Sequence, residues 1–251
     1  MIVDDRPVVA GASDDPLLPT SDAWVPWVDP GLTTSAESLG RVVDAVVAEV
    51  RGCDRIVVRL PPDVVHAPER AGFERLTRYV AKKPSPATPG PAEWTVLPFA
   101  EEDRPFVHRL LVRAIVDGYR SGGFVVSEEA AQAHVELDFA SFSEAGPVSA
   151  YVAFEDGRRV GHATWLHGVA DDVTGELFAE VFDVFVVPEH RGRGIDRALV
   201  QAVDAAVAPL GRRSLGHIVC EPDGRDARVL EKLQAGGWQE AYVLWHKRLA
   251  R

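Results

Sequence analysis

From about residue 93 to residue 251, the spacing of the hydrophobic residues alternates between strand-like and helix-like segments. Apolar residues in the helical segments recur every three or four positions, whereas the strand segments are short and rich in Val, Phe and Trp. Asp156-Gly157 lies between two strand-like segments and is typical of a tight hairpin turn. The pattern predicts, in order, a strand (Trp94–Phe99), two helices (Glu101–Tyr119, and one capped by Ser127 that runs through Phe142), three strands (Ser149–Phe154, Arg159–His167, Leu177–Val187), a helix (Asp196–Leu210), a strand (Ser214–Glu221), a helix (Asp226–Ala235) and a final strand (Trp238–Arg248).

A proline-rich stretch at residues 84–92 separates this part from the N-terminal part. Proline at such density neither pairs in a sheet nor continues a helix, so the stretch is typical of a linker. We therefore expect two domains, residues 1–83 and residues 93–251.

Composition and charge narrow the function classes. The net charge of −11 argues against nucleic acid as a partner and mildly favours a cationic or amine substrate, although solubility alone is a sufficient explanation. No apolar run reaches the roughly 18 residues of a membrane span, and the acidic N-terminus lacks a signal-peptide pattern, so we expect a cytoplasmic protein without membrane contact. Cys53, Cys220 and the eight histidines show no metal-binding spacing, and we expect no metal.

The richest motif connects the strand ending at Val187 to the helix that follows. Gly192 and Gly194 allow positive φ and a close approach of the backbone to a ligand. Free N–H groups at a helix N-terminus converge on one point, and the helix dipole favours negative charge there. The strand, turn and helix together predict an anion site.

The segment Arg191-Gly192-Arg193-Gly194-Ile195-Asp196 resembles the acyl-CoA pyrophosphate loop of the GNAT acetyltransferase superfamily, Gln/Arg-x-x-Gly-x-Gly/Ala, except that Asp196 replaces the last Gly/Ala. Asp196 either turns away from the phosphates or caps the helix. The resemblance covers about residues 93–251 and implies an α/β (α+β) GNAT fold, with a mixed, mostly antiparallel sheet flanked by helices, and acetyl-CoA as cosubstrate. It places the cofactor against strand residues Val184, Phe185, Val186 and Val187, where the amides of Phe185–Val187 would polarise the thioester carbonyl, and against loop residues Arg191, Gly192, Arg193, Gly194, Ile195, Asp196 and Arg197.

Glu180 is the candidate catalytic base, because it lies eleven residues before Arg191, where histone-acetyltransferase-type members carry a glutamate. Strand alternation predicts that Glu180 shares a face with Phe182 and Val184, and that Asp183 lies on the other face. A solvent-facing carboxylate at a strand end is the alternative interpretation. Leu230 lies at the position where the family carries a tyrosine that acts as the general acid, which puts general-acid catalysis by tyrosine in doubt.

The first ninety residues contain a weak repeat of the second part. Val43-Asp44-Ala45-Val46-Val47-Ala48 matches Val203-Asp204-Ala205-Ala206-Val207-Ala208, and the following strand and Gly-aromatic pair also correspond. We interpret residues 24–84 as a degenerate half-GNAT unit, so that the chain is a partial plus a complete GNAT in tandem; chance similarity of two Ala/Val-rich helices is the alternative. The loop Asp29–Ser35 has no arginine and one glycine, so we expect no CoA there.

The resemblance implies a cytoplasmic bacterial N-acetyltransferase that passes acetyl from acetyl-CoA directly to a primary amine of a small molecule or peptide. Two alternatives stay open: a non-catalytic, CoA-binding regulatory module, and transfer of another acyl group or to another acceptor. The segment Arg120–Phe124 lies where family members form a substrate lid. Either a monomer or a homodimer is compatible with the sequence.

Overall fold

The computed structural model describes residues 1–18, 21–84, 94–144, 148–221 and 223–249. These residues form eleven strands and six α-helices, in the order β1 (Ile2–Val3), β2 (Arg6–Asp14), β3 (Ser21–Val28), α1 (Ala36–Glu49), β4 (Arg55–Leu60), α2 (His66–Arg70), β5 (Glu74–Lys82), β6 (Thr95–Pro98), α3 (Arg104–Ser121), α4 (Glu128–Glu144), β7 (Val148–Glu155), β8 (Arg158–Ala170), β9 (Leu177–Val186), α5 (Ile195–Val207), β10 (Arg213–Val219), α6 (Arg225–Ala235) and β11 (Gln239–Arg248). Two compact units are present, and both are built from segments distant in the sequence: unit 1 is Met1–Val80, Ser121–Phe124 and Ile218–Arg251, and unit 2 is Ala81–Arg120 and Val125–His217.

Unit 1 is a sheet with the strand order β1-β2-β3-β4-β11-β5. Strands β3 and β4 are parallel, and β11 pairs antiparallel with β4, so that Arg248 lies opposite Arg55. Helix α1 begins after Ser35, whose side chain accepts the Ser38 N–H at 3.1 Å. It buries one face at helical spacing, through Leu39, Val42, Val43 and Val46.

Unit 2 is a sheet with the strand order β10-β9-β8-β7-β6. Its pairs are antiparallel except β9 with β10. Helix α5 buries Ile195, Leu199, Val203 and Val207, spaced four residues apart, against the sheet. Gly161 on β8 makes the close approach possible, because a Cβ there would lie 2.7 Å from the Phe185 carbonyl oxygen and 3.3 Å from a Leu199 methyl group.

The predicted order of elements from β6 to β11 is confirmed, and so is a mixed, mostly antiparallel sheet flanked by helices. Asp156 and Gly157 adopt φ of 48° and 74°, as a tight hairpin requires, and the Ala130 N–H donates to Ser127 Oγ at 3.1 Å. The bounds differ at several ends: α5 stops at Val207 and continues as a short 3₁₀ turn, and β8 extends to Ala170.

One boundary between the compact units, at Val80–Ala81, falls shortly before the proline-rich stretch, most of which lies outside the described residues. Helix α6 and strand β11 belong to unit 1 together with the first eighty residues. The order β3-α1-β4-α2-β5 equals the order β9-α5-β10-α6-β11, and each series opens on a parallel pair of strands around a helix. The degenerate repeat and the domain boundaries stay predictions.

Candidate active site

The glycine turn has the geometry of an anion site at the N-terminus of α5. Strand β9 ends at Val186, a 3₁₀ turn spans Pro188–His190, and Gly194 is the N-cap of the helix. Gly192 and Gly194 adopt φ of 76° and 86°, a conformation that residues with a side chain rarely take. The Ala198 N–H is the first to bond inside the helix, to the Gly194 carbonyl, so the N–H groups of residues 195–197 have no partner within the helix.

The side chains of the turn divide between the core and the rim. Ile195 is 1% exposed and packs in the core, so only its backbone N–H is available to a ligand. Asp196 is the second residue of α5, so of the two alternatives the N-cap is wrong, because Gly194 holds that position. The positive end of the helix dipole lies at this point, while Asp196 contributes a negative charge within the same turn.

The two arginines of the turn make different contacts. Arg191 donates its Nε–H to the Val186 carbonyl at 2.9 Å, and its guanidinium lies over the Phe185 ring at 5.1 Å. Arg193 donates to Glu155 at 3.0 Å, and His190 Nδ1 lies 2.6 Å from the same carboxylate. The hydrogen bond from Arg193 holds the pKa of Glu155 below its usual range. Glu155 therefore ties Arg193 and His190 to the β7–β8 hairpin.

Beyond Val181, strand β9 pairs with β8 along one edge, and its other edge faces away from β8. The Val187 N–H donates to the Val160 carbonyl at 2.9 Å, and Phe185 lies opposite His162. In an antiparallel ladder alternate residues direct their N–H groups to the same neighbour, so Phe185 and Val187 face β8, whereas Val184 and Val186 face the other edge. The register with β10 ends at Val181 opposite Gly216. The sheet already uses the Val187 N–H, and which amide polarises a thioester stays a prediction.

A β-bulge at Phe182 changes the faces of β9. Thr164 lies opposite Asp183 and Trp165 lies opposite Val181, so Phe182 is an extra residue. Glu180 and Asp183 therefore lie on one face, with Phe185, and Val181 and Val184 lie on the other. The predicted sharing of faces is wrong here, because simple alternation does not allow for the extra residue.

Glu180 lies in a half-buried polar group. Its Oε1 is 3.8 Å from His217 Nδ1 on β10, and the His217 ring stands edge-on to Phe182, with 6.4 Å between centroids. The Glu180 side chain is only 15% exposed, which distinguishes it from a solvent-facing carboxylate at a strand end.

Asp183 has a buried histidine behind it. Its Oδ2 lies 3.2 Å from His162 Nε2, and the other ring nitrogen of His162 lies 3.1 Å from Thr164 Oγ1. His162 is fully buried. The sequence had no signal for this arrangement, because it depends on the bulge and on pairing between β8 and β9.

Other residues singled out in the sequence lie in unit 1. The Tyr242 ring stacks on Tyr79 at 4.5 Å, and Phe124 of the expected lid segment lies beneath the Arg55 guanidinium, 4.6 Å from it. Ser121 donates to Glu221 at 3.1 Å. Leu230, in α6, is half-buried. Within the described ranges, no cluster of His, Cys, Asp and Glu fits a metal ion, and no helix is long and apolar enough to cross a membrane.

Comparison with known families finds a match in the middle and C-terminal part of the chain. Residues 111–233 match the Acetyltransferase (GNAT) family. A mycothiol acetyltransferase of Nocardiopsis dassonvillei is 33% identical over 99 residues, which are 39% of this chain and 26% of that protein. The match thus spans about a quarter of that relative's length.

Solved structures share the fold at low sequence identity. A GCN5-related N-acetyltransferase from Sphaerobacter thermophilus has a TM-score of 0.54 at 17% identity, over 95% of this chain and 76% of its own. A GNAT-family acetyltransferase from Colwellia psychrerythraea has a TM-score of 0.52 at 12% identity, over 90% and 78%. A tandem GNAT protein from the clavulanic acid biosynthesis pathway has a TM-score of 0.50 at 14% identity, over 92% and 76%.

Proposed function

Because residues 111–233 belong to the acetyltransferase (GNAT) family, a family of acyltransferases, we propose that this protein transfers acetyl from acetyl-CoA to a primary amine of a small molecule or peptide. The observation that carries the proposal is the turn of two left-handed glycines, Gly192 and Gly194, between β9 and α5. The N–H groups at the start of α5, which point out of the helix N-terminus, and Arg191 fit the pyrophosphate of a CoA thioester. The free amides of Val184 and Val186 line the edge along which the acyl arm would lie.

In the proposed reaction Glu180 takes a proton from the acceptor ammonium, directly or through one water. The neutral nitrogen then attacks the thioester carbonyl, so that a C–N bond forms and the C–S bond breaks. A backbone N–H on the open edge of β9 stabilises the developing oxyanion. As the C–S bond breaks, the nitrogen loses its second proton to water, and the CoA thiolate leaves and takes up a proton through water, since Leu230 offers no acidic group.

Substitution at Gly194 tests cofactor binding. Gly194→Glu puts bulk and negative charge at the N-cap of α5, where the phosphates would lie, and we expect no measurable acetyl-CoA binding by calorimetry. Gly211→Glu is the matched control, because Gly211 has φ of 65° beyond the other end of the same helix and open space around its Cα. If Gly194→Glu binds acetyl-CoA as the unsubstituted protein does, the proposed function is wrong.

Substitution at Glu180 tests the chemistry. Glu180→Gln keeps the shape and removes the basicity, and loss of a general base lowers kcat by about a hundredfold to ten-thousandfold. We expect that loss near neutral pH, a smaller loss at high pH where free amine is abundant, and unchanged acetyl-CoA affinity. Glu176→Gln, before the same strand, should retain full activity, since Glu176 is exposed. Full kcat in Glu180→Gln from pH 6 to 9 (about two units around neutrality) would exclude Glu180 as the base.

A further inference from the structure

The bulge at Phe182 brings two carboxylates to neighbouring positions on one face of β9. Asp183 lies opposite Thr164 and Glu180 lies opposite Leu166, and these two β8 residues are one strand repeat apart. Their separation along the strand is therefore about 7 Å. A regular strand would place residues 180 and 183 on opposite faces, so the extra residue is what makes them neighbours.

Neither carboxylate has a fixed positive partner. Among the described residues, the side chains within ion-pair distance of Glu180 and Asp183 are the imidazoles of His217 and His162, and no lysine or arginine pairs with either carboxylate. The side chains are 15% and 18% exposed, so they are half-buried yet reachable. A pair of carboxylates in such surroundings attracts cations more strongly than exposed ones do.

The polar atoms behind Asp183 also indicate a ligand. His162 Nε2 and Asp183 Oδ2 are both buried, lie 3.2 Å apart, and make no hydrogen bond of good geometry within the described part of the chain. Buried polar groups without a partner are uncommon in native proteins, and those that occur often serve a functional role or bind a water or an ion. Since His162 is fully buried, it cannot touch an acceptor and acts on Asp183 as a positioning residue.

Positively and negatively charged side chains lie at opposite ends of this face of β9. Phe185, next to Asp183 on the face, carries the guanidinium groups of Arg113 and Arg191 over its ring, at 5.6 Å and 5.1 Å. The cationic end lies toward the glycine turn and the anionic end lies toward Glu180. An anionic cofactor and a cationic acceptor would thus each meet the opposite charge.

We propose that the acceptor carries two amino groups, the reacting one at Glu180 and a second one bound by Asp183. This inference rests on the proposed function. Two ammonium groups about 7 Å apart correspond to a linear diamine of roughly four or five carbons. Asp183 is then the residue that determines specificity, and His162 holds its carboxylate in place.

Steady-state kinetics with matched amines tests the proposal. The probes are 1,4-diaminobutane, 1,5-diaminopentane and n-butylamine, which lacks the second cation. We expect kcat/KM to favour the diamines by about tenfold or more, a factor typical of one partly buried charge pair. Asp183→Asn should remove that preference by raising KM for the diamines, with kcat and the n-butylamine constants within about twofold of the original.

Three controls separate the outcomes. Glu180→Gln should lower kcat for every amine, and Asp172→Asn, at an exposed turn before β9, should change nothing. His162→Gln should raise the diamine KM as Asp183→Asn does and leave n-butylamine unaffected, which a general loss of folding would not do. Equal kcat/KM for diamines and n-butylamine, or equal losses for both in Asp183→Asn, would overturn the proposal.

Calorimetry of diamine binding without acetyl-CoA keeps the two proposals distinct. Weaker 1,4-diaminobutane binding to Asp183→Asn supports the acceptor site even if no amine is acetylated, in which case only the proposed function fails. Binding of acetyl-CoA with no difference between Asp183→Asn and the original protein toward the diamine would leave the function standing and remove the acceptor site.

Discussion

At the scale of single residues, buried polar side chains determine how the stability of unit 1 depends on pH. Arg55 donates to Asp22 at 2.8 Å, and both residues are nearly buried. His246 is 6% exposed and lies close to this pair. Burial, and next the charge of Arg55, lowers the pKa of His246 below its ordinary value. The folded state therefore holds His246 neutral where the unfolded chain would protonate it.

This shift predicts a loss of stability in mild acid. A lowered histidine pKa means that the unfolded chain binds more protons, so stability is full above the unfolded pKa of about 6.5 and falls as pH drops through the folded one. We expect urea unfolding to show a smaller decrease between pH 7.5 and 5 for His246→Gln than for the original protein. The decrease should not vanish, because burial also lowers the pKa of His167.

The exposed His66 provides the control, since His66→Gln removes a histidine without a buried environment. An unchanged pH slope in His246→Gln, together with an unchanged slope in His66→Gln, would show that burial of His246 does not contribute to acid sensitivity.

For Glu180, the catalytic role stays a prediction, whereas the face of the strand on which it lies was predicted wrongly. Glu180 was found because it lies eleven residues before Arg191, and in the structure it lies in a half-buried polar group beside His217. Its face was wrong because Phe182 inserts into the strand. A bulge is stabilised by pairing with another strand, so the local pattern of hydrophobic residues does not reveal it.

At the scale of elements, the loop between β3 and α1 differs from the loop between β9 and α5 in the side chains that contact it. In unit 1 the Asp29 carboxylate accepts the Gly31 N–H at 2.8 Å and the Arg6 guanidinium at 2.7 Å. The hydrogen bond from Arg6, and next the bond from Gly31, lowers the pKa of Asp29. A Cβ on Gly31 would clash with the Arg6 guanidinium. The space beside this loop is therefore already filled by the Arg6 side chain of β2, which pairs with Asp29.

We therefore expect one acetyl-CoA per chain. The Asp29 side chain and the Ser35 cap already use N–H groups of the first loop and helix, whereas those of residues 195–197 are unused within α5. Calorimetric titration should give a stoichiometry near one. Asp29→Asn should leave that value unchanged, because it affects only the first loop. A second binding event that persists in Gly194→Glu would show that the first loop also binds the cofactor.

Elements were predictable where the information is local. Helical spacing of Leu39, Val42, Val43 and Val46 in α1, and of the corresponding buried residues of α5, follows directly from one face packing on a sheet. Turn chemistry located the hairpin at Asp156-Gly157. The ends of helices were predicted less accurately. After Val207 the last turn of α5 becomes a 3₁₀ turn, and the α and 3₁₀ conformations differ little in energy at a helix end.

At the scale of the whole molecule, the grouping of segments could not be read from the sequence. The proline-rich stretch predicted a boundary, but α6 and β11 lie in unit 1 with the first eighty residues. Strand β11 carries Val243 and Trp245 into the same core as Ile56 and Val58. Several strands of the chain have a composition similar to that of β11, so their residues alone do not show which one pairs with β4. The pairing with β11 depends on the complete set of tertiary contacts.

The pairing of β4 with β11 has a consequence for synthesis of the protein. A chain grows at about 5–20 residues per second, so roughly ten to forty seconds separate the appearance of β4 from that of its partner. During this interval one edge of β4, a strand of mostly buried Ile, Val and Leu, has no strand beside it. Unit 1 is therefore completed only after β11 has been synthesised, and a ribosome that stops before β11 releases a chain with an open, aggregation-prone sheet edge.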